Sequence, residues 1–275
     1  MNSKIITFAL LLSIAGVCMQ CKAQPANGQA SSDALTKETS VTVPMTQDSD
    51  SAYVPVDNEL PSVAATPRVP HEGFVYVKTL IPDLVEDLRY FTTNNFMGEK
   101  ADGYEANTVI LSREAAEALA RAADELRQMG YVIKVFDAYR PQMAVDHFVR
   151  WSKSSDQRNK QDYYPNLEKK RLFPQYIARK SGHSRGSTID MTICHKDTGE
   201  EVDMGGHFDY FGPPSHPSFI GKYPSGRVTK EHRQRRLMLR QVMVRHGFKP
   251  YDSEWWHFTL KNEPYPTTYF TFPVK

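Results

Sequence analysis

Apolar residues recur at helical spacing in two long segments of the chain. In the first, residues 112–129, Ser112 is a good N-cap and Gly130 predicts the end of the helix. Residues 229–246 predict a second long helix, which ends at Gly247. The apolar face of the first helix would consist of Ala115, Leu119, Ala122, Leu126 and Met129.

Shorter patterns lie between these helices. Pro141 suits the first position of a third helix because its φ angle is fixed. Residues 131–136, 187–194 and 255–260 predict strands, and alternation in 187–194 puts Asp190 on the polar face. Helices and strands interleave without a regular βαβ repeat, which favours an α+β fold. The apolar residues of the third helix are Ala144, Phe148 and Trp151, and those of strand 187–194 are Ile189, Met191 and Ile193.

The N-terminus has the pattern of an export signal. Lys4 precedes an apolar run, residues 5–17, which is short for a bilayer span but typical of a signal-peptide core. We expect cleavage after Ala23. A lipoprotein with Cys18 or Cys21 acylated is the second choice, because neither cysteine follows the usual Leu-Ala-Gly type of residues.

Composition divides the chain into three parts. Residues 1–23 are the predicted signal peptide, and residues 24–70, rich in Ser, Thr, Pro, Gln and Asp, predict a disordered linker. Residues 71–275 predict one folded domain with a single core. We expect an exported, periplasmic protein, or a lipid-anchored one as the alternative, with no transmembrane span once the signal is removed.

Net charge and cysteine content bear on possible partners and on disulfide formation. The net charge of +2 gives no reason to expect a nucleic-acid partner, and we interpret the basic residues 232–236 as the solvated face of the second long helix. Signal cleavage would leave Cys194 as the one cysteine, so no intrachain disulfide is expected. We interpret Cys194 as a half-buried thiol at a strand end and not as a metal ligand.

Two segments carry candidate chemistry. His183 and Asp190 lie in a Gly- and Ser-rich segment, and Glu254 and His257 flank two tryptophans. Two imidazoles and a carboxylate can hold a catalytic zinc ion and leave a fourth position for water. A nearby glutamate can take the proton of that water and pass it to a leaving amine. The pattern predicts a metal-dependent hydrolase acting on a peptide bond.

The spacing of Glu254 and His257 raises a geometric difficulty. Residues three apart on a regular strand lie on opposite faces, so Glu254 must sit at the end of the strand or in a bulge if both serve one site. Each motif alone has a plainer interpretation, His183 as a surface residue in a turn and residues 254–257 as an aromatic core strand. Their presence beside residues 136–141 makes a shared site the stronger interpretation.

These motifs resemble those of the zinc D-alanyl-D-alanine dipeptidases, the enzyme type associated with vancomycin resistance. The resemblance covers residues 73–275. It implies an α+β fold with a mixed, mainly antiparallel sheet flanked by helices around one zinc ion, as in D,D-carboxypeptidases and hedgehog-type domains. The matching segments are 137–141, 181–190 and 254–257, with further likeness at 88–96, 102–104, 163–165, 203–205, 263–266 and 272–275.

The resemblance implies roles for individual residues of the centre. His183, Asp190 and His257 would hold zinc, and Glu254 would act as general base and then as acid. Arg140 would stabilise the oxyanion of the tetrahedral intermediate or anchor the substrate. The sequence alone favours a different role for Arg140, as a capping or salt-bridging residue at the start of the third helix.

The resemblance also implies a substrate. Ser181 would contact the carboxyl end of a D,D-dipeptide, Asp209 would receive its ammonium group, and Tyr90 would line the pocket. Hydrolysis of D-Ala-D-Ala outside the cytoplasm would act on dipeptide released from the cell wall, which makes a resistance role less expected than the chemistry. Two alternatives remain: a D,D-carboxypeptidase that trims peptidoglycan stem peptides, and a zinc-binding module without catalytic activity.

Overall fold

The computed structural model describes Val69 and residues 71–275. The predicted signal peptide, and the predicted linker apart from Val69, lie outside the described residues. Within the described part, no helix combines the length and the apolar character that crossing a membrane would require.

The described residues form nine strands and four helices. In chain order the strands are β1 (Phe74–Tyr76), β2 (Val85–Glu86), β3 (Ile110–Ser112), β4 (Tyr131–Asp137), β5 (Thr188–His195), β6 (Gly221–Tyr223), β7 (Gly226–Val228), β8 (Phe248–Tyr251) and β9 (Glu254–Leu260). The helices are α1 (Arg113–Gln128), α2 (Gln142–Ser152), α3 (Lys160–Tyr163) and α4 (Lys230–Arg245).

The central sheet has five strands in the order β2–β4–β5–β9–β8. Strand β2 runs parallel to β4, and the other neighbours are antiparallel. Helices α1 and α4 pack on this sheet and on each other. The expected α+β fold with a mixed, mainly antiparallel sheet is confirmed. The pairs β1–β3 and β6–β7, and the short strands β2 and β8, were not foreseen in the sequence because each is only two to four residues long.

The long helices have the predicted bounds to within a residue, but their N-termini differ in detail. Ser112 precedes α1, yet its hydroxyl lies 2.8 Å from that of Ser187 and makes no capping bond. Thr229 does cap α4, with His232 completing the reciprocal pair of hydrogen bonds. Pro141 immediately precedes α2, which begins at Gln142.

Strand β5 is buried on both faces, from Thr188 to Cys194. The predicted alternation is right in direction, but other elements cover the polar face too, so Asp190 is only 2% exposed. The interpretation of Cys194 as half-buried is wrong for the same reason. Asp190 therefore lies at the floor of a cleft in the middle strand of the sheet.

Arg236 corrects the interpretation of residues 232–236 as a solvated face. Its neighbours Arg233 and Arg235 are exposed, but Arg236 itself has no exposed surface. Its guanidinium donates hydrogen bonds to backbone carbonyls of a neighbouring loop. Charge alone could not reveal this, because burial of an arginine depends on acceptors that come from a distant part of the chain.

Candidate metal centre

The sheet register brings three acidic and imidazole side chains into one row. Asp190 on β5 pairs with Asp137 on β4 and with His257 on β9. Directly opposed residues of neighbouring strands project from the same face. His257 Nδ1 accordingly lies 2.9 Å from Asp190 Oδ1.

His183 reaches the same place from a 3-10 turn, Gly182–Arg185, that leads into β5. Its Nε2 lies 3.2 Å from Asp190 Oδ2 and 3.4 Å from His257 Nδ1. The turn is fixed by Ser181, whose hydroxyl accepts a hydrogen bond from the His183 backbone N–H at 3.2 Å. Gly186 ends it with φ 80°, where a Cβ atom would lie 2.2 Å from the ring of Phe74.

The chemistry of these donors fits a metal ion. One ligand atom each from His183, Asp190 and His257 lies within 4.8 Å of the others. His183 Nδ1 donates to the carbonyl of Ala138 at 2.7 Å, which leaves the Nε2 lone pair directed at the cluster. Burial lowers the pKa of His257 and so favours its neutral, metal-binding form.

The two histidines also determine the direction in which the pKa of Asp190 is shifted. Burial acts to raise its pKa, but the electrostatic interactions and hydrogen bonds with His183 and His257 outweigh burial and hold the pKa of Asp190 far below its usual range. Asp190 is therefore an anion, as a metal ligand must be.

Glu254 occupies the first position of β9, directly after the turn from β8. The pairing of the two strands shifts register between Pro250 and Tyr251, so Glu254 lies at a strand end and beside a bulge. Its Oε2 is thereby 3.6 Å from His257 Nδ1, although the residues are three apart. Burial, together with the charges of Asp190 and Asp209, raises the pKa of Glu254 well above its usual value.

Arg140 lies beside the same cluster and is held by Asp137. Its Nε donates to Asp137 Oδ2 at 2.8 Å, and its Nη2 is 3.6 Å from Asp190 Oδ2. The guanidinium lies over the rings of Tyr90 and Phe148, 4.8 and 5.1 Å from their centroids. Arg140 thus forms the salt bridge that the sequence alone suggests, and it also lines the cavity that contains the metal ligands.

Asp137 belongs to this site but was not assigned a role in the sequence analysis. It is fully buried, and its second oxygen accepts a hydrogen bond from Tyr104 at 2.5 Å. The signal that could have revealed it is its place in the segment 137–141, three residues before Arg140.

Asp209 and Tyr90 form a pair on another wall of the cavity. The Tyr90 hydroxyl donates to Asp209 Oδ2 at 2.7 Å, and both residues are buried. Burial raises the pKa of Asp209 to about 8, the Tyr90 hydrogen bond opposes that rise, and the negative charge of Asp190 adds to it. Asp209 also adopts φ 63°, in the left-handed region that aspartate tolerates better than most residues other than glycine.

One cavity of about 200 Å³ gathers all the residues singled out from the sequence. Part of its wall comes from residues 174–178, which the sequence analysis did not single out. Tyr251 links this wall to the β8–β9 turn, because its hydroxyl donates to the carbonyl of Gln175 at 3.0 Å. The candidate residues that line the cavity are Tyr90, Arg140, Ser181, His183, Asp190, Asp209, Glu254 and His257.

Comparison with known proteins agrees with this geometry. Residues 70–275 match the model of the D-ala-D-ala dipeptidase family of M15 peptidases. The chain is 42% identical over 204 residues to a D-alanyl-D-alanine dipeptidase of Enterococcus faecalis, covering 74% of this chain and 98% of that protein. A D-alanyl-D-alanine dipeptidase of Streptomyces coelicolor is 41% identical over 203 residues, covering 73% of this chain and 98% of its own. The D-alanyl-D-alanine dipeptidase of Escherichia coli is 31% identical over 189 residues, which cover 68% of this chain and 83% of that protein.

The fold, the candidate metal centre and these relatives define the class: the chain is a peptidase. It belongs to the D-ala-D-ala dipeptidase family, whose members are metal-dependent. The resemblance stated from the sequence is thereby confirmed.

Proposed function

We propose that this chain hydrolyses D-Ala-D-Ala, or a closely related D,D-dipeptide, to free amino acids with the aid of one zinc ion. The observation that carries the proposal is the convergence of His183, Asp190 and His257 to within 4.8 Å in the cavity that Glu254 also lines. Two imidazoles and a carboxylate with an open position form a donor set of the kind that catalytic zinc uses. The near-40% identity to proteins named D-alanyl-D-alanine dipeptidases supports the substrate.

His183, Asp190 and His257 would hold the zinc ion, which would act as a Lewis acid and make a water molecule nucleophilic near neutral pH. Glu254 would accept the proton from the attacking water and deliver it to the departing amine. The burial of Glu254 suits proton transfer, because burial raises the pKa of its carboxyl group towards the pH at which the enzyme acts.

Three further side chains would orient the dipeptide. Arg140 carries a fixed positive charge in the cavity, where it would stabilise the negative oxygen that develops on the amide carbon. Ser181 would contact the substrate carboxylate, and Asp209, held by Tyr90, would receive the ammonium group. A carboxylate and a cation in one cavity suit a ligand with charge at both ends.

The volume of the cavity suits a ligand as small as a dipeptide. About 200 Å³ lies below the range of roughly 300–1,000 Å³ that holds drug-sized ligands. A D,D-carboxypeptidase, the second candidate, would need an open groove for the remainder of the stem. Glu254 argues against a zinc-binding module without catalysis, since such a module needs no proton carrier.

The place of action is part of the proposal. The apolar run of residues 5–17 supports export to the periplasm, with a lipid anchor at Cys18 or Cys21 as the second choice. An exported enzyme would act on dipeptide released from the cell wall.

The experiment that tests the function compares two substrates. The chain without residues 1–23 is given D-Ala-D-Ala, or a stem pentapeptide ending in D-Ala-D-Ala, with zinc or with a chelator. We expect zinc-dependent release of D-alanine from the dipeptide. Release mainly from the pentapeptide would establish a carboxypeptidase instead, and release from neither would refute the proposed reaction.

A further inference from the structure

Asp209 lies at the middle of a loop that has little regular structure of its own. Within residues 204–216 the one regular element is the 3-10 turn Pro213–Ser215. Among the described residues, Asp209 is the one non-glycine residue with positive φ. Aspartate tolerates this left-handed region better than most residues, but the conformation still has to be selected by contacts of the loop with the rest of the fold.

A single buried arginine joins the two ends of this loop. Arg236 Nε donates to the carbonyl of Met204 at 2.7 Å. Its Nη1 donates to the carbonyls of Pro214 at 2.8 Å and His216 at 3.1 Å. Met204 and Pro214 lie five residues before and five residues after Asp209. Arg236, on the long helix α4, therefore closes the loop symmetrically around Asp209.

The arrangement is unfavourable as a source of stability alone. Within the described part of the chain Arg236 forms no salt bridge, and its Nη2 has no hydrogen-bond partner. Burial lowers the pKa of Arg236 to about 10, which reflects the cost of a desolvated cation. Without a carboxylate partner among the described residues, the guanidinium has only its hydrogen bonds to backbone carbonyls to offset the cost of desolvation. The three carbonyls that the guanidinium holds are therefore the better explanation for its presence.

We propose that Arg236 is a positioning residue for substrate specificity: by joining Met204 to Pro214, it keeps the Asp209 carboxyl group in the cavity wall, where the substrate ammonium would bind. The inference rests on the proposed function, because it takes the ammonium group of a dipeptide as the partner of Asp209. Arg236 is not among the residues that line the cavity, so it acts through the loop and not by contact with substrate.

A second route from Arg236 to the site must be distinguished from the first. The guanidinium also lies 5.6 Å from the ring centroid of Trp255, the neighbour of Glu254. A defect transmitted along this route would disturb proton transfer and lower kcat. A defect transmitted through Asp209 would weaken recognition of the ammonium group and raise KM.

The test uses the full zinc-loaded enzyme with the variants Arg236→Gln and Arg236→Lys. We expect Arg236→Gln to raise KM for D-Ala-D-Ala about tenfold or more, the effect of losing one charge-assisted contact, while kcat changes by less than about threefold. Arg236→Lys, which keeps the charge and fewer donors, should show a smaller rise. Arg233→Gln removes an exposed arginine from the same helix and should leave both constants unchanged. A fall in kcat at constant KM would overturn the proposal.

A double-mutant cycle with Asp209→Asn then separates positioning from general destabilisation. If Arg236 acts through Asp209, adding Arg236→Gln to Asp209→Asn should change kcat/KM by less than about twofold, whereas additive losses would refute the inference. Hydrogen exchange in residues 204–216 should also be faster in the Arg236 variants than in the wild type. Unchanged exchange would refute the role of Arg236 in holding this loop. Hydrogen exchange requires no turnover, so this measurement tests the inference even if the wild type does not hydrolyse the dipeptide. If Arg236→Gln does not fold, the kinetics, the double-mutant cycle and the hydrogen-exchange measurement are made with Arg236→Lys instead.

Discussion

Arg140 Nε donates a hydrogen bond to Oδ2 of Asp137, and Arg140 Nη2 lies at the same distance, 2.8 Å, from that oxygen. Asp137 is fully buried at the end of β4, and its place in the sheet opposite Asp190 is fixed by strand pairing. The guanidinium is thus anchored to the same row of strand residues that carries two of the candidate metal ligands. Its charge is therefore oriented before substrate arrives, as electrostatic stabilisation of a transition state requires.

The first prediction concerns this anchoring. Asp137→Asn removes the charge that holds Arg140 and should lower kcat at least about tenfold, because a misplaced guanidinium stabilises the transition state less. Arg140→Lys should lower kcat about a hundredfold, since an ammonium cannot reproduce the fork. Steady-state kinetics with D-Ala-D-Ala measure both. Asp83→Asn removes one of the two carboxylate partners of Arg127 on the surface and serves as the matched control. Wild-type kcat in Asp137→Asn would contradict the anchoring role.

The second prediction isolates proton transfer. Glu254→Gln keeps the size of the side chain but cannot accept a proton, so kcat should fall by about 10² to 10⁴. Zinc content, measured by elemental analysis of the purified protein, should stay at one ion per chain because the three ligands are intact. Glu231→Gln, an exposed change on α4, should retain full activity. A Glu254→Gln enzyme with a tenth or more of wild-type turnover would show that another group carries the proton.

Much of the site could be inferred from sequence because its pieces are local. His183 and Asp190 belong to one turn and the strand that follows it, and Glu254 and His257 to another strand. Their convergence depends on strand register, which is set by bulges and by the packing of a buried face. The spacing of Glu254 and His257 requires a strand end or a bulge, but no residue pattern showed that the register shift would fall beside Tyr251.

The residues that sequence analysis missed share a physical cause. Asp137 and Arg236 are polar side chains whose burial depends on partners elsewhere in the fold. Arg236 in particular meets carbonyls that lie 20 to 32 residues away along the chain. The periodicity of a strand or a helix predicts that such residues face solvent, because it reflects their polarity and not their contacts.

The third prediction concerns metal and stability. Zinc should raise the melting temperature of chelator-treated protein, because the ligand cluster exists in the folded state only. At a free zinc concentration about 100 times Kd the gain is roughly 2.7 kcal/mol, or about 5–10 °C for a domain of this size. His257→Ala should abolish the shift, whereas His147→Ala, which changes a histidine paired with Glu99 and Asp102, should keep it. An equal shift in His257→Ala would place the metal elsewhere.

The fourth prediction follows from the setting of Asp209, whose pKa burial raises to about 8 from an ordinary value of 3.8. Because the folded-state pKa is the higher one, the unfolded chain binds fewer protons between about pH 4 and pH 8. Over that window the contribution of Asp209 to folding stability falls as pH rises, and above pH 8 it is constant. Asp209→Asn cannot ionise and can still accept the hydrogen bond from Tyr90, so it should escape this loss.

The measurement is urea unfolding of chelator-treated wild type and Asp209→Asn at pH 5 and pH 8. The variant should gain at least about 1 kcal/mol relative to the wild type between the two values, a fraction of the full linkage effect. The same variant should bind substrate worse, with KM for D-Ala-D-Ala raised about tenfold or more, because a neutral amide cannot form an ion pair with the ammonium group. Asp197→Asn, at an exposed position, should change neither quantity. If the variant gains stability and loses affinity, Asp209 is retained for substrate recognition at a cost in folding stability. An equal pH dependence of the free energy of unfolding in both proteins would show that the Asp209 carboxyl group ionises normally.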